Sequence, residues 1–151
     1  MKFRGLNYQE HQEFETFVKP IKPIPKEASA INGITNEMVA NAPLLGDVFH
    51  QFMNFCKNAV PIAQNAKFDV GFLIPQFEKF EFDGFSPVCI DTKLISKKIW
   101  FYERGHNLDT IAARLSIKYN AKDRHRSVAD CKITAECFVK MLSKVNIQNF
   151  T

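Results

Sequence analysis

Three stretches of the 151-residue sequence place titratable side chains where metal binding or acid–base chemistry could use them. Glu13-Phe14-Glu15-Thr16 sets two carboxylates on alternate residues of an apolar, β-prone run. On a strand, residues two apart share a face. Glu13 and Glu15 are therefore either paired oxygen donors for a divalent cation or the solvent face of an edge strand. In PIAQNAKFDVGFL, residues 61–73, an apolar run ends at Gln64-Asn65 and Asp69 follows one turn into a helix. Active sites of α/β proteins gather at such strand ends, although an acidic residue in a first helical turn also simply suits the helix dipole. In DRHRSVADC, residues 123–131, His125 precedes a final helix and Asp130 lies just inside it. A loop histidine beside a carboxylate is a natural general base. A solvated loop histidine and a helix-start aspartate are the plainer account of the same residues.

The elements that must position these groups follow from hydrophobic period and turn residues. Residues 2–5 predict a short strand, 6–12 a hairpin loop, and 13–18 a second strand carrying Phe14, Phe17 and Val18. The three prolines of residues 19–25 predict an extended, irregular path, and residues 28–38 a compact connector around Gly33. Asn41-Ala42-Pro43 opens a helix with Val48, Phe49, Phe52, Met53 and Cys56 at helical spacing. Residues 59–63 predict a buried strand. Residues 65–80 predict a helix with Phe68, Phe72, Leu73, Phe77 and Phe80 in register, which Pro75 kinks or divides. Core packing is the expected role of most of the fifteen phenylalanines, Phe68 and Phe72 included. Residues 88–90 predict a third apolar strand, and Asp91-Thr92 caps a helix running to about Phe101. A short helix spans 107–115. The last helix spans 127–145, with Val128, Cys131, Ala135, Phe138, Val139 and Leu142 facing inward. This order predicts a mixed sheet with helices packed on it.

Bulk composition narrows the class. The length suits one domain over residues 1–151. A net charge of +4 permits a nucleic-acid partner without requiring one, and basic residues crowd between Lys118 and Lys132. The four cysteines lack CxxC spacing and predict reduced, mostly buried thiols of a cytoplasmic protein. The polar start MKFRGLNYQEHQ is unlike a secretory leader. No apolar run approaches the roughly 20 residues that span a bilayer, so no membrane partner is expected.

Taken in order, these segments resemble the DnaQ-like (DEDDh) 3′→5′ exonuclease family, typified by the epsilon subunit of bacterial DNA polymerase III. The likeness runs from about residue 13 to 142. IAQNAKFDVGFL resembles the family's second motif, with Gln64 where histidine is usual, and HRSVADCKITAECFVKML resembles its third. VCIDTKLISKKI and HNLDTIAARLSI resemble its middle segments, and ETFVKPIKPIPKEASAINGITNEMVANAP its connector from third strand to first helix.

The resemblance implies an α/β, ribonuclease H-like mixed sheet with flanking helices. It implies Asp69 and Asp130 as metal residues and, with His125 as general base, the catalytic set. Asn65, Phe68 and Phe72 would contact substrate, with help from the INGIT turn. It also implies two Mg²⁺ or Mn²⁺ ions, a single-stranded DNA or RNA 3′ end as substrate, and DNA polymerase III subunits as partners. The family's first motif, Asp-x-Glu-Thr, is not matched. Glu13-Phe14-Glu15-Thr16 mimics it, but the proline-rich connector follows at once, so this stretch aligns with the third strand. The expectation is a chain that lacks the first, central strand and holds metal weakly. A catalytically inactive remnant that binds single-stranded nucleic acid or a polymerase subunit is the alternative.

Overall fold

The computed structural model describes residues 1–81, 88–123 and 125–145. A hairpin opens the fold. Strand β1 (Lys2–Arg4) pairs antiparallel with β2 (Asn7–Gln12), Lys2 facing Gln12 and Phe3 facing His11. Gly5, at φ +58°, makes the left-handed turn between them. The second strand therefore lies at residues 7–12, not at 13–18 as the alternation predicts. NYQEHQ is polar on both faces and carries no apolar period; its pairing is fixed by the turn and by β1. Lys2 Nζ donates to the carbonyls of Phe55 (3.1 Å) and Lys57 (2.8 Å). It thereby ties the hairpin to the carbonyl-rich end of a helix, where a cation is favoured.

That helix is α3 (Leu45–Cys56). It is preceded by two short helices in the connector, α1 (Lys26–Asn32) and α2 (Asn36–Val39). Gly33 ends α1 at φ +71° and returns its N–H to the Ser29 carbonyl at 2.8 Å, a left-handed close that suits glycine. Strand β3 (Ile62–Ala63) leads into α4 (Ala66–Lys79), and β4 (Ile90–Asp91) into α5 (Thr92–Ile99). Helix α4 is assigned without interruption across Pro75. The residue four positions earlier is Gly71, which offers no side chain to crowd the ring. Two further helices follow, α6 (Leu108–Arg114) and α7 (Ser127–Leu142).

Strands β3 and β4 are parallel, with Ile62 opposite Ile90 and Ala63 opposite Asp91. Among the described residues the strands form two separate pairs rather than one sheet, and α7 touches both β2 and β3. Apolar burial has two centres. One joins α6 and α7 through Leu108, Ile111, Leu115, Ile133, Cys137 and Met141, with Ile95, Ile99 and Trp100 against it. The other joins α3 and α4 through Phe49, Met53 and Phe77. Helix α7 buries Ile133, Thr134, Ala135, Cys137, Phe138 and Met141. Neighbours on several sides bury more than one stripe of it, so the predicted inward face is right at Ala135 and Phe138 and wrong at Cys131, which is exposed. The mostly buried thiols expected from sequence reduce to one, Cys137; all four cysteines are free.

Candidate active site

Several stretches distant in sequence meet at the start of α7. The amide of Asp130 donates to the Arg126 carbonyl at 3.0 Å, which sets Asp130 in the first helical turn. His125 precedes that turn, exposed and at φ +65°, a left-handed conformation uncommon outside glycine. The INGIT turn lies alongside: a Cβ built on Gly33 would stand 3.9 Å from Arg126 Nη2.

Glu13 and Glu15 reach the same helix. Phe14 packs inward, its ring centroid 6.1 Å from that of Phe52 and 5.7 Å from that of Phe55, so its two neighbours turn away from α3. Glu13 is ion-paired with Lys132 (2.7 Å) and shares a hydrogen bond with His11 Nε2 (2.8 Å), and Glu15 accepts from the Ser127 hydroxyl at 3.4 Å. Bonding to Lys132, then His11, holds the Glu13 carboxyl below the usual carboxylate range. Residues 13–15 belong to no strand. The edge-strand alternative thus gives way to an extended segment whose first carboxylate is already paired with the Lys132 ammonium.

Asp69 comes in from α4. The Cys131 thiol feels the carboxylates of Asp130, Asp69 and Glu13 together: desolvation raises its pKa first, the chain's terminal ammonium opposes, and the three acids add to the rise. Helices α4 and α7, which carry Asp69 and Asp130, both touch strand β3. Although Asp69 reaches solvent, surrounding protein atoms desolvate it and raise its pKa; its own backbone N–H opposes this and Asp91 adds to it. Phe68 and Phe72 lie on the outer side of α4 at 63% and 64% exposure, their ring centroids 5.0 Å apart. The core role expected for them is overturned. Helix α4 buries only Ala66 and Phe77 in full, because α3 covers one side of it.

Asp91 is the positioning residue that sequence identified only as a cap. One carboxylate oxygen accepts from the amides of Lys93 (2.8 Å) and Asn65 (3.1 Å), the other from that of Ala66 (3.1 Å). It closes the N-termini of α4 and α5 at once. Asn65 itself, at φ +68°, has its side-chain oxygen bound by Lys93 Nζ at 3.1 Å. Gln64, in the place where histidine was expected, donates Nε2 to the His106 carbonyl at 2.8 Å and accepts from the buried Thr92 hydroxyl. Its amide is an interior brace. The Asp-Thr dipeptide was the available signal for Asp91, but its reach to α4 depends on the β3–β4 pairing.

The donor types suit Mg²⁺ or Mn²⁺, which take hard oxygen ligands. The donor number does not: among the described residues no three His, Cys, Asp or Glu side chains gather closely enough to hold an ion. Asp91 is engaged by backbone amides, and Glu13 by Lys132 and the His11 ring. A protein cage for two ions does not fit the described residues.

These elements define an α/β, ribonuclease H-like nuclease fold. A family model described as Exonuclease (RNase_T) matches residues 2–138, and the chain belongs to that family. Over 138 residues it is 36% identical to the DNA polymerase III subunit epsilon-like protein of Rhodobacter capsulatus, covering 91% of this chain and 20% of that one. Over 149 residues it is 32% identical to the DNA polymerase III subunit epsilon of Buchnera aphidicola subsp. Schizaphis graminum, covering 91% and 64%. The chain thus spans less than two thirds of either relative's length. The solved structure of Exonuclease X in complex with 5′ overhanging duplex DNA matches with a TM-score of 0.60 at 22% identity, over 83% of this chain and 70% of that one, which is a likeness of fold. No described helix is long and apolar enough to cross a membrane.

Proposed function

We propose that this chain is the nuclease domain of an epsilon-type 3′→5′ exonuclease, removing nucleotides from a single-stranded DNA or RNA end. What supports this reading is the Exonuclease family match over residues 2–138, together with α4 and α7, the helices of Asp69 and Asp130, touching the same strand β3, and His125 exposed just before α7. His125 takes the proton of the attacking water, the work of a general base. Asp69 and Asp130 are the carboxylates that would face a divalent metal of the Mg²⁺ or Mn²⁺ kind, short of the two-ion cage expected from sequence. Mg²⁺ commonly sits on one or two carboxylates together with water and substrate phosphate, which is the arrangement these two residues can serve. Phe68 and Phe72 offer exposed rings to the terminal bases, and Asn65 lies at their base on α4. Replication proteins of the cytoplasm, including polymerase subunits, are the partners this reading implies.

That no three metal-binding side chains gather among the described residues favours a second reading, retention of nucleic-acid binding without hydrolysis. A 5′-labelled single-stranded oligonucleotide in Mg²⁺ or Mn²⁺ separates the two. The exonuclease reading expects a ladder that shortens from the 3′ end and is blocked by a 3′-phosphate. Binding that weakens with salt and leaves the oligonucleotide intact would establish the second.

A further inference from the structure

Beyond the α7 site, the turn after α5 displays two aromatic side chains to solvent. The Glu103 amide donates to the Trp100 carbonyl at 3.0 Å, closing a turn whose central residues are Phe101 and Tyr102. These are 76% and 96% exposed, with ring centroids 5.0 Å apart. The turn is firmly braced. Trp100 packs on the α6–α7 core. Arg114 lies over the Trp100 ring at 5.3 Å, pairs with Glu103 at 2.7 Å, and donates to the carbonyls of Arg104 (2.7 Å) and Gly105 (2.8 Å). A rigid mount lowers the ordering cost of any contact the two rings make.

Cations predominate along the chain on either side of the rings. Lys97, Lys98 and Arg104 are exposed nearby in sequence, and the single acid of the stretch, Glu103, is answered by Arg114. Exposed aromatic faces among cations suit a single strand, whose bases stack while its phosphates meet the cations. The turn is also tied to the site. His106 shares a hydrogen bond with Ser96 at 2.8 Å, and its carbonyl holds Gln64, the residue before Asn65. His106 lies four positions after Tyr102, so their Cα atoms are within roughly 14 Å of each other.

We propose that Phe101 and Tyr102, with Lys97, Lys98 and Arg104, form a stacking platform for single-stranded nucleic acid outside the catalytic pocket. The platform rests on the nucleic-acid reading above. Its test is fluorescence anisotropy with a labelled 12-nucleotide oligothymidylate in EDTA, where nothing is hydrolysed. Phe101→Ala/Tyr102→Ala weakens binding by about 10-fold or more, from base–aromatic stacking, while Tyr102→Phe retains it. Arg104→Ala lowers the slope of log affinity against log salt by about one. Unchanged affinity in the double alanine variant overturns the platform and leaves the proposed function standing. A wild-type chain that binds no oligonucleotide overturns both. Self-association abolished by the double variant, at unchanged oligonucleotide affinity, assigns the patch to a second protein copy instead and overturns it too.

Discussion

At the scale of single residues, Asp69 carries a readable electrostatic cost. Desolvation first, and then Asp91, raise its pKa in the folded chain. The folded state therefore holds the Asp69 proton more tightly than the unfolded state does. Stability from this group is present below the ordinary carboxylate range and is lost as pH rises through the raised value. Asp69→Asn is accordingly expected to stabilise the fold at pH 7 and to make little difference near pH 3. Urea unfolding at the two pH values checks this, and destabilisation by the variant at pH 7 would contradict it. Asp69, His125 and Asp130 stand as candidates through the motif order they share with the family rather than through any one spacing. The locked state of Glu13 was not legible in the sequence, because Lys132 meets it only when the chain folds.

At the scale of elements, Asp91 joins two helix starts through three backbone amides. Asp91→Ala orphans those donors. From charge-assisted bonds and lost caps, the expected destabilisation is ~2–4 kcal/mol. The orientation of Asp69 loosens with it, because α4 loses its anchor. Chemical denaturation measures the first effect, and a change under 1 kcal/mol (roughly one ordinary hydrogen bond) would contradict the two-helix role. Helices were largely legible here: the starts at Asn107 and Asp91 follow from side chains that accept the amides of Thr110 and Lys93 at 2.8 Å. The second strand was not. Glu13 to Val18 has the better alternation, but the Gly5 turn and the pairing with β1 place the strand six residues earlier. Tertiary pairing outweighed local pattern.

At the scale of the whole molecule, the two apolar centres and two strand pairs differ in how much holds them. The α6–α7 centre contains residues with no solvent exposure, including Ile111, Cys137 and Met141. Strand β3 has two residues and β1 three. Hydrogen exchange is therefore expected to be slowest in α6 and α7 and fastest in β1 and β3, since local opening follows buried contact. Mass spectrometry of exchanged peptides checks it, and β1 protected as long as α7 would contradict it. The division into two strand pairs was the fold feature least visible in sequence, which predicted a single mixed sheet.

The central claim is that Asp69, Asp130 and His125 act on one phosphodiester. Release of a 3′-terminal labelled nucleotide in Mg²⁺ or Mn²⁺, compared between the wild type, Asp130→Asn and His125→Ala, tests it most directly. Each variant is expected to be slower by about 10²-fold or more, the usual worth of general acid–base catalysis or of a group acting within a catalytic unit, with oligonucleotide affinity nearly unchanged. Equal release by the wild type and both variants would contradict the account.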